Sequence, residues 1–192
     1  MARRGRLRRA ASALAGPLVS ALANPSAHRT ARPRPPAQPP PGWPETASPD
    51  QTNPLPTAYP GDYPGRPDIV YAPEADHDAD PGEVVWAWTP YEEDHRQGKT
   101  RPVLVIGYDQ GWLLAVFLSS TDHDRDAAQE ASQGRFWVKV GRGSWDSRGR
   151  TSYARVDRIL RIAPASLTGR AERLDQSRFE RVAAGISRHW AD

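Results

Sequence analysis

The stretch GRTSYARVDRILRI, residues 149–162, decides how this chain reads. Ala154, Val156, Leu160 and Ile162 share one parity; Tyr153, Arg155 and Asp157 share the other. In a strand, residues two apart project from the same face, about 6.5–7 Å apart. The stretch therefore predicts a half-buried strand, with Arg155 and Asp157 side by side next to an aromatic ring and over an apolar underside. A guanidinium beside a carboxylate can hold a phosphate and handle a proton. It can equally be a structural ion pair on an edge strand.

Working outward, residues 82–88 (GEVVWAW) are strand-like and residues 89–100 read as a polar loop. Residues 101–108 (RPVLVIGY) form an apolar run short enough for a buried strand, with Pro102 at its first position, where a missing N–H is tolerated. Asp109-Gln110-Gly111 turns the chain into residues 112–120 (WLLAVFLSS), which completes a hairpin. Residues 121–134 are polar, with a short helix around 125–133, and residues 135–140 (RFWVKV) alternate as a further strand. Residues 141–150 (GRGSWDSRGR) form a basic, mobile loop. There Trp145 could stack on a base while Arg148 seeks phosphate, or the ring could simply be packed. No Gly-Lys-Ser/Thr follows, so this is not a phosphate-binding P-loop. After a turn at residues 164–167, a helix over 176–190 is capped by Asp175 and carries Phe179, Val182, Ala183, Ile186 and Trp190 on one face. Five or six short strands and one closing helix predict a mainly β protein, a small bent antiparallel sheet or barrel. There is no βαβ alternation to support a parallel nucleotide-binding sheet.

The chain has 192 residues and a formal net charge of +3, unevenly spread. Residues 1–36 hold eight Arg and no acid, residues 37–80 hold eight acids and one Arg, and residues 81–192 hold 17 Lys+Arg and 15 Asp+Glu. Residues 1–23 read as a basic Arg/Ala-rich arm. Their Ala21-Leu22-Ala23 end also suits a secretory cleavage site, but Gly16 and Pro17 break the apolar region such a signal needs. Residues 24–80 read as a proline-rich, acidic, disordered linker, since sixteen of the twenty prolines fall within residues 1–80. The folded domain is expected over 81–192. No run approaches the roughly 18 apolar residues of a membrane span. The absence of cysteine excludes disulfides and thiolate metal sites and fits a cytoplasmic location. Residues 76–80 (DHDAD) and 122–126 (DHDRD) open like calcium loops, but lack the glycine at position six and the glutamate at position twelve. Both read as solvated acidic turns, and no metal or cofactor is expected.

Across about residues 81–189 the chain resembles the PemK/MazF (Kid-like) family of toxin endoribonucleases. Residues 82–86 (GEVVW) look like its opening G-[DE]-[IV]-[VW]-W strand, and residues 95–105 (HRQGKTRPVLV) are similar to H-E-Q-x-G-x-R-P-V-L-V. Residues 118–121 (LSST) stand where the family has P-x-T-[TS], and residues 154–158 (ARVDR) look like V-R-C-D-Q. The resemblance implies an SH3-like barrel, a homodimer, metal-independent cleavage of single-stranded RNA, and inhibition by a cognate antitoxin, with DNA contacted only through the antitoxin complex. It carries the catalytic set onto His95, Arg155 and Asp157, and the RNA-binding set onto Arg101, Ser120 and Thr121. The family Glu at the second signature position is Arg96 here, and the P-x-T residues are Leu118 and Ser120.

RNA supplies its own nucleophile, the 2′-hydroxyl. Cleavage then needs a base for that proton, an acid for the 5′ oxygen, and positive charge for the phosphorane-like state. The residues predict Asp157 as base, His95 as acid or relay, and Arg155 and Arg101 as electrostatic stabilisers, since arginine scarcely gives up its proton. The other reading is a barrel without turnover that binds nucleic acid or protein, which the lost Glu and the long arm allow.

Overall fold

The computed structural model describes residues 51–54, 58–76 and 78–191. The basic arm at 1–23 and the first part of the linker lie outside the described residues. Among the described residues there are eight strands: β1 (Gln51–Thr52), β2 (Glu83–Pro90), β3 (Gln97–Asp109), β4 (Trp112–Ser119), β5 (Trp137–Gly141), β6 (Ser152–Arg155), β7 (Leu160–Ile162) and β8 (Leu167–Arg173). Helix α1 (Ala127–Ser132) precedes β5, and helix α2 (Gln176–His189) ends the fold. Every pairing is antiparallel. The sheet runs β5-β6-β4-β3-β2-β8, with β1 attached to β3 and β7 to β4.

The mainly β architecture with a closing helix is as the sequence predicts, but the sheet does not close into a barrel. Among the described residues β5 and β8 have no mutual pairing, and α2 packs against β5. Register shifts in the β2–β8, β3–β4 and β5–β6 pairs bend the sheet instead.

Strict alternation puts one apolar set on each face. Val84, Trp86, Leu104, Ile106, Leu114, Val116 and Leu118 join Val182 and Ile186 of α2 in one core. Val85, Ala87, Val103, Val105, Leu113, Ala115 and Phe117 form a second core on the opposite face. The 89–100 loop expected from the sequence is much shorter, because the ladder continues past the apolar run through pairs such as Thr89↔Lys99 and Pro90↔Gly98. Backbone hydrogen bonding does not require apolar side chains.

The stretch at 149–162 is two strands, not one. Ala154, Val156 and Ile159 belong to the first core, whereas Leu160 and Ile162 belong to the second. The break after Arg155 turns the chain over, so residues of one parity serve opposite faces.

Residues 58–76 correct the expectation of a disordered linker. Prolines deny this segment a ladder, but isolated backbone hydrogen bonds and aromatic anchors hold it on the sheet. Tyr63 N donates to Ile159 O at 2.8 Å, Val70 N to Ile106 O at 3.0 Å and Ala72 N to Pro81 O at 3.0 Å. Tyr63, Ile69 and Tyr71 pack against the first core, and Tyr71 Oη donates to Leu174 O at 2.8 Å. Contact is close enough that a Cβ at Gly107 would clash with the Asp68 carbonyl oxygen. Gly107→Ala is therefore expected to destabilise the fold by about 1–3 kcal/mol, the usual cost of overpacking. A thermal melt unchanged from wild type would show that the segment yields freely.

Candidate active site

The site forms where β4, β5 and β6 lie side by side. Trp137 of β5 stands opposite Arg155 of β6, and the Arg155 guanidinium lies 5.9 Å from the centre of the Phe117 ring of β4. Phe117 meets Trp137 edge to face at 5.6 Å, and the Arg101 guanidinium from β3 sits 4.7 Å over the same Phe117 ring. Two cations thus share one aromatic platform.

Arg155 is only 7% exposed. Its Nε donates to Asp157 Oδ2 at 2.8 Å and its Nη1 to Glu92 Oε2 at 2.9 Å. Burial works against its charge, but the bonds to Asp157 and Glu92 outweigh that and raise its pKa, so it stays a cation. Both Asp157 oxygens are occupied, since Oδ1 accepts the Phe136 N–H at 2.7 Å. Arg101 is different: its Nε is buried and without a hydrogen-bond partner among the described residues. Burial, followed by the positive fields of Arg158 and Arg155, pushes its pKa down to about 10 although Tyr91 opposes the shift. It is still charged at neutral pH.

His95 lies in the short β2–β3 loop, half-buried, with its ring edge-on to Tyr59 at 5.0 Å. Among the described residues no hydrogen bond or ion pair joins it to Arg155 or Asp157. The structure therefore groups Arg101, Arg155 and Asp157, while His95 is attached to the segment before the domain. That segment also supplies Asp62, which accepts from Arg158 Nε at 2.6 Å, while Arg158 Nη1 donates to Pro90 O at 3.1 Å.

The remaining expected RNA-binding residues divide. Ser120 Oγ is bonded to the Asp146 carboxylate and lies 3.2 Å from Ser152 Oγ. Thr121 and Arg148 are exposed. Trp145 is 2% exposed and packed in the first core, with its indole N–H on Ser152 Oγ at 3.0 Å, so it has no face to offer a base. A hairpin-loop tryptophan looks the same in sequence whether packed or exposed.

Sequence reading missed Phe117, Trp137 and His123; it offered Glu92 or Glu93 as stand-ins for the family Glu lost at Arg96, and Glu92 is the one paired with Arg155. The acidic turn at 122–126 is not simply solvated. Tyr153 Oη donates to Asp124 Oδ2 at 2.8 Å, Lys139 Nζ pairs with the same oxygen at 3.0 Å, and His123 lies flat on Trp137 with ring centres 3.6 Å apart. Trp137 is fixed from its far end by Glu130, whose Oε2 accepts the indole N–H at 3.0 Å. Alternation placed Trp137 and Arg155 on separate strands, but only pairing shows that they are neighbours.

Hydrogen bonds from Arg135 and Trp137 hold the Glu130 carboxyl down to about 2. A carboxylate depressed below its unfolded value of about 4.3 stabilises the fold above that value and loses its contribution as pH falls through the folded value. Acidification from pH 5 to pH 2 is therefore expected to release Trp137, read as a reversible change in tryptophan fluorescence that Glu130→Gln lacks. An identical transition in the variant would place the titrating group elsewhere.

Among the described residues, no three His, Asp or Glu side chains are grouped to ligate a metal ion, and no helix is long and apolar enough to cross a membrane.

Fold and site together define a small, bent antiparallel-sheet protein with a cationic, aromatic-floored site at its strand ends. The model of the PemK-like, MazF-like toxins of type II toxin–antitoxin systems matches residues 80–189, and the chain belongs to that family. No curated protein matches the chain.

Proposed function

We propose that the chain is a sequence-reading, metal-independent endoribonuclease that cleaves single-stranded RNA by attack of the 2′-hydroxyl, and that a cognate antitoxin holds it inactive in the cytoplasm. The observation that carries this reading is Arg101. Its buried Nε has no hydrogen-bond partner among the described residues, and it shares the Phe117 ring with Arg155. An unpaired buried donor calls for an explanation, and two guanidiniums over one platform suit the oxygens of a phosphodiester. Arg155 and Arg101 would stabilise the developing charge. Asp157 would fix Arg155, and its side chain, 6% exposed, leaves a 2′-hydroxyl little access to it. His95 would donate to the leaving 5′ oxygen. Ser120, Thr121 and Arg148 would line the RNA path, and an isologous homodimer is the expected assembly. DNA would be reached only through the antitoxin complex.

A second reading, an RNA- or protein-binding module without turnover, is favoured by one observation: Glu92 and Asp157 together close Arg155 from solvent. Incubating the full chain with a long unstructured RNA in EDTA separates the two. Discrete cuts bearing 2′,3′-cyclic phosphate and 5′-hydroxyl ends, absent with Arg101→Met, support the nuclease. Retained RNA binding without cuts supports the module.

A further inference from the structure

The nuclease reading leaves the base without a clear owner, because the Asp157 side chain is 6% exposed and tied to Arg155 and to the Phe136 N–H. A second histidine lies beside the same row of side chains. His123 stacks on Trp137 at 3.6 Å with the two rings 7° from parallel, and Trp137 is the cross-strand partner of Arg155. The imidazole is also edge-on to Tyr153 at 5.7 Å, and its Nε2 is 3.1 Å from Ser119 Oγ. It is thereby held on three sides at the margin of the site, in the loop that carries Thr121.

Resting on the nuclease reading, we propose that His123, held flat on Trp137 with Nε2 on Ser119, is the general base that takes the 2′-hydroxyl proton of RNA. Ser119 Oγ already accepts the Thr121 N–H at 3.2 Å. In the tautomer we propose, its second lone pair receives Nε2–H, which leaves Nδ1 bare and able to accept a proton. As Nδ1 takes the proton, the 2′ oxygen bonds to phosphorus and the P–O5′ bond breaks. The departing 5′ oxygen takes a proton from His95. The products are a 2′,3′-cyclic phosphate and a 5′-hydroxyl; His123 then returns its proton to solvent and His95 recovers one.

The surroundings suit a neutral imidazole. Burial is the largest influence and lowers the His123 pKa; Arg135 acts in the same direction, and Glu130, Asp122 and Asp126 oppose it. Lys139 from β5 and Tyr153 from β6 also face this loop, through Asp124. The base form therefore predominates at neutral pH.

His123→Phe and His123→Ala in the full chain test the proposal. Phe preserves the flat ring on Trp137 but carries no nitrogen. With RNA binding unchanged, kcat for His123→Phe is expected to fall about 10²–10³-fold, within the usual range for a proton-transfer group. The limb of the pH–rate profile that rises with pH below neutrality should vanish in the same variant. If His123→Phe cuts like wild type while His123→Ala does not, the residue only packs, and the proposal is wrong. A wild-type profile in either active variant overturns it as well. If wild-type chain binds RNA and never cuts it, the nuclease reading itself falls and takes this proposal with it, an outcome distinct from the others.

Discussion

A chain cut back to residues 81–192 is expected to lose its cooperative fold, although this span contains almost all of the region that matches the toxin family. The cut removes Asp62 and leaves Arg158, which is 6% exposed, with only the Pro90 carbonyl as partner. Asp62 is 27% exposed, so breaking this half-buried pair costs less than the roughly 3–5 kcal/mol of a fully buried one. It also removes Tyr63, Ile69 and Tyr71 from the first core. A fully buried side chain of this size contributes about 1.5–3 kcal/mol, and these are partly buried, so each contributes less. Arg161 loses the Gly61 and Asp62 carbonyls. Together these losses approach the whole stability of an ordinary domain, about 5–15 kcal/mol. Near-ultraviolet circular dichroism and a thermal melt provide the check: the 81–192 chain should show neither fixed aromatic signals nor a sharp transition, while a 51–192 chain shows both. Equal melting of the two would mean that the preceding segment contributes nothing to the domain.

Arg155→Lys is expected to abolish most cleavage while leaving the fold in place. Lysine keeps a positive charge, but it cannot present a planar fork to Asp157 and Glu92 and still face a phosphate. Loss of one oriented donor at a developing oxyanion costs about 10²–10³-fold in rate. Arg155→Met should do something else. It leaves Asp157, whose side chain is 6% exposed, buried beside no cation, at a cost of about 3–5 kcal/mol. Single-turnover cleavage and thermal unfolding measured together on both variants separate the roles. Arg155→Lys with full activity would remove Arg155 from the chemistry and leave it a structural cation.

Much of the fold could be read from the residues. Short apolar runs in GEVVWAW, RPVLVIGY and WLLAVFLSS located β2, β3 and β4, because a strand buried on both faces loses its polar alternation and is recognised by length and flanking turns. Asp175 marked the start of α2, and its side chain accepts the Arg178 N–H. The pairing of Arg155 with Asp157 was also legible, since two-residue spacing on a strand brings side chains together. Alternation failed at 156–159, because sequence parity cannot register a backbone turn that moves Leu160 and Ile162 to the other core.

The amino-acid sequence alone determined strands β2 to β5, the closing helix, the family and the Arg155–Asp157 pair, because each rests on local periodicity or on contiguous residues; β1, β8 and the division of 149–162 into β6 and β7 came only with the structure. Tertiary structure decided what depends on contacts between distant segments. It left β5 and β8 unpaired with each other and set α2 against β5. It folded the proline-rich segment onto the sheet and attached His95 to Tyr59. It buried Trp145, and it set His123 over Trp137 beside Arg155. Such contacts arise from strand order and side-chain packing, and neither spacing nor composition encodes them.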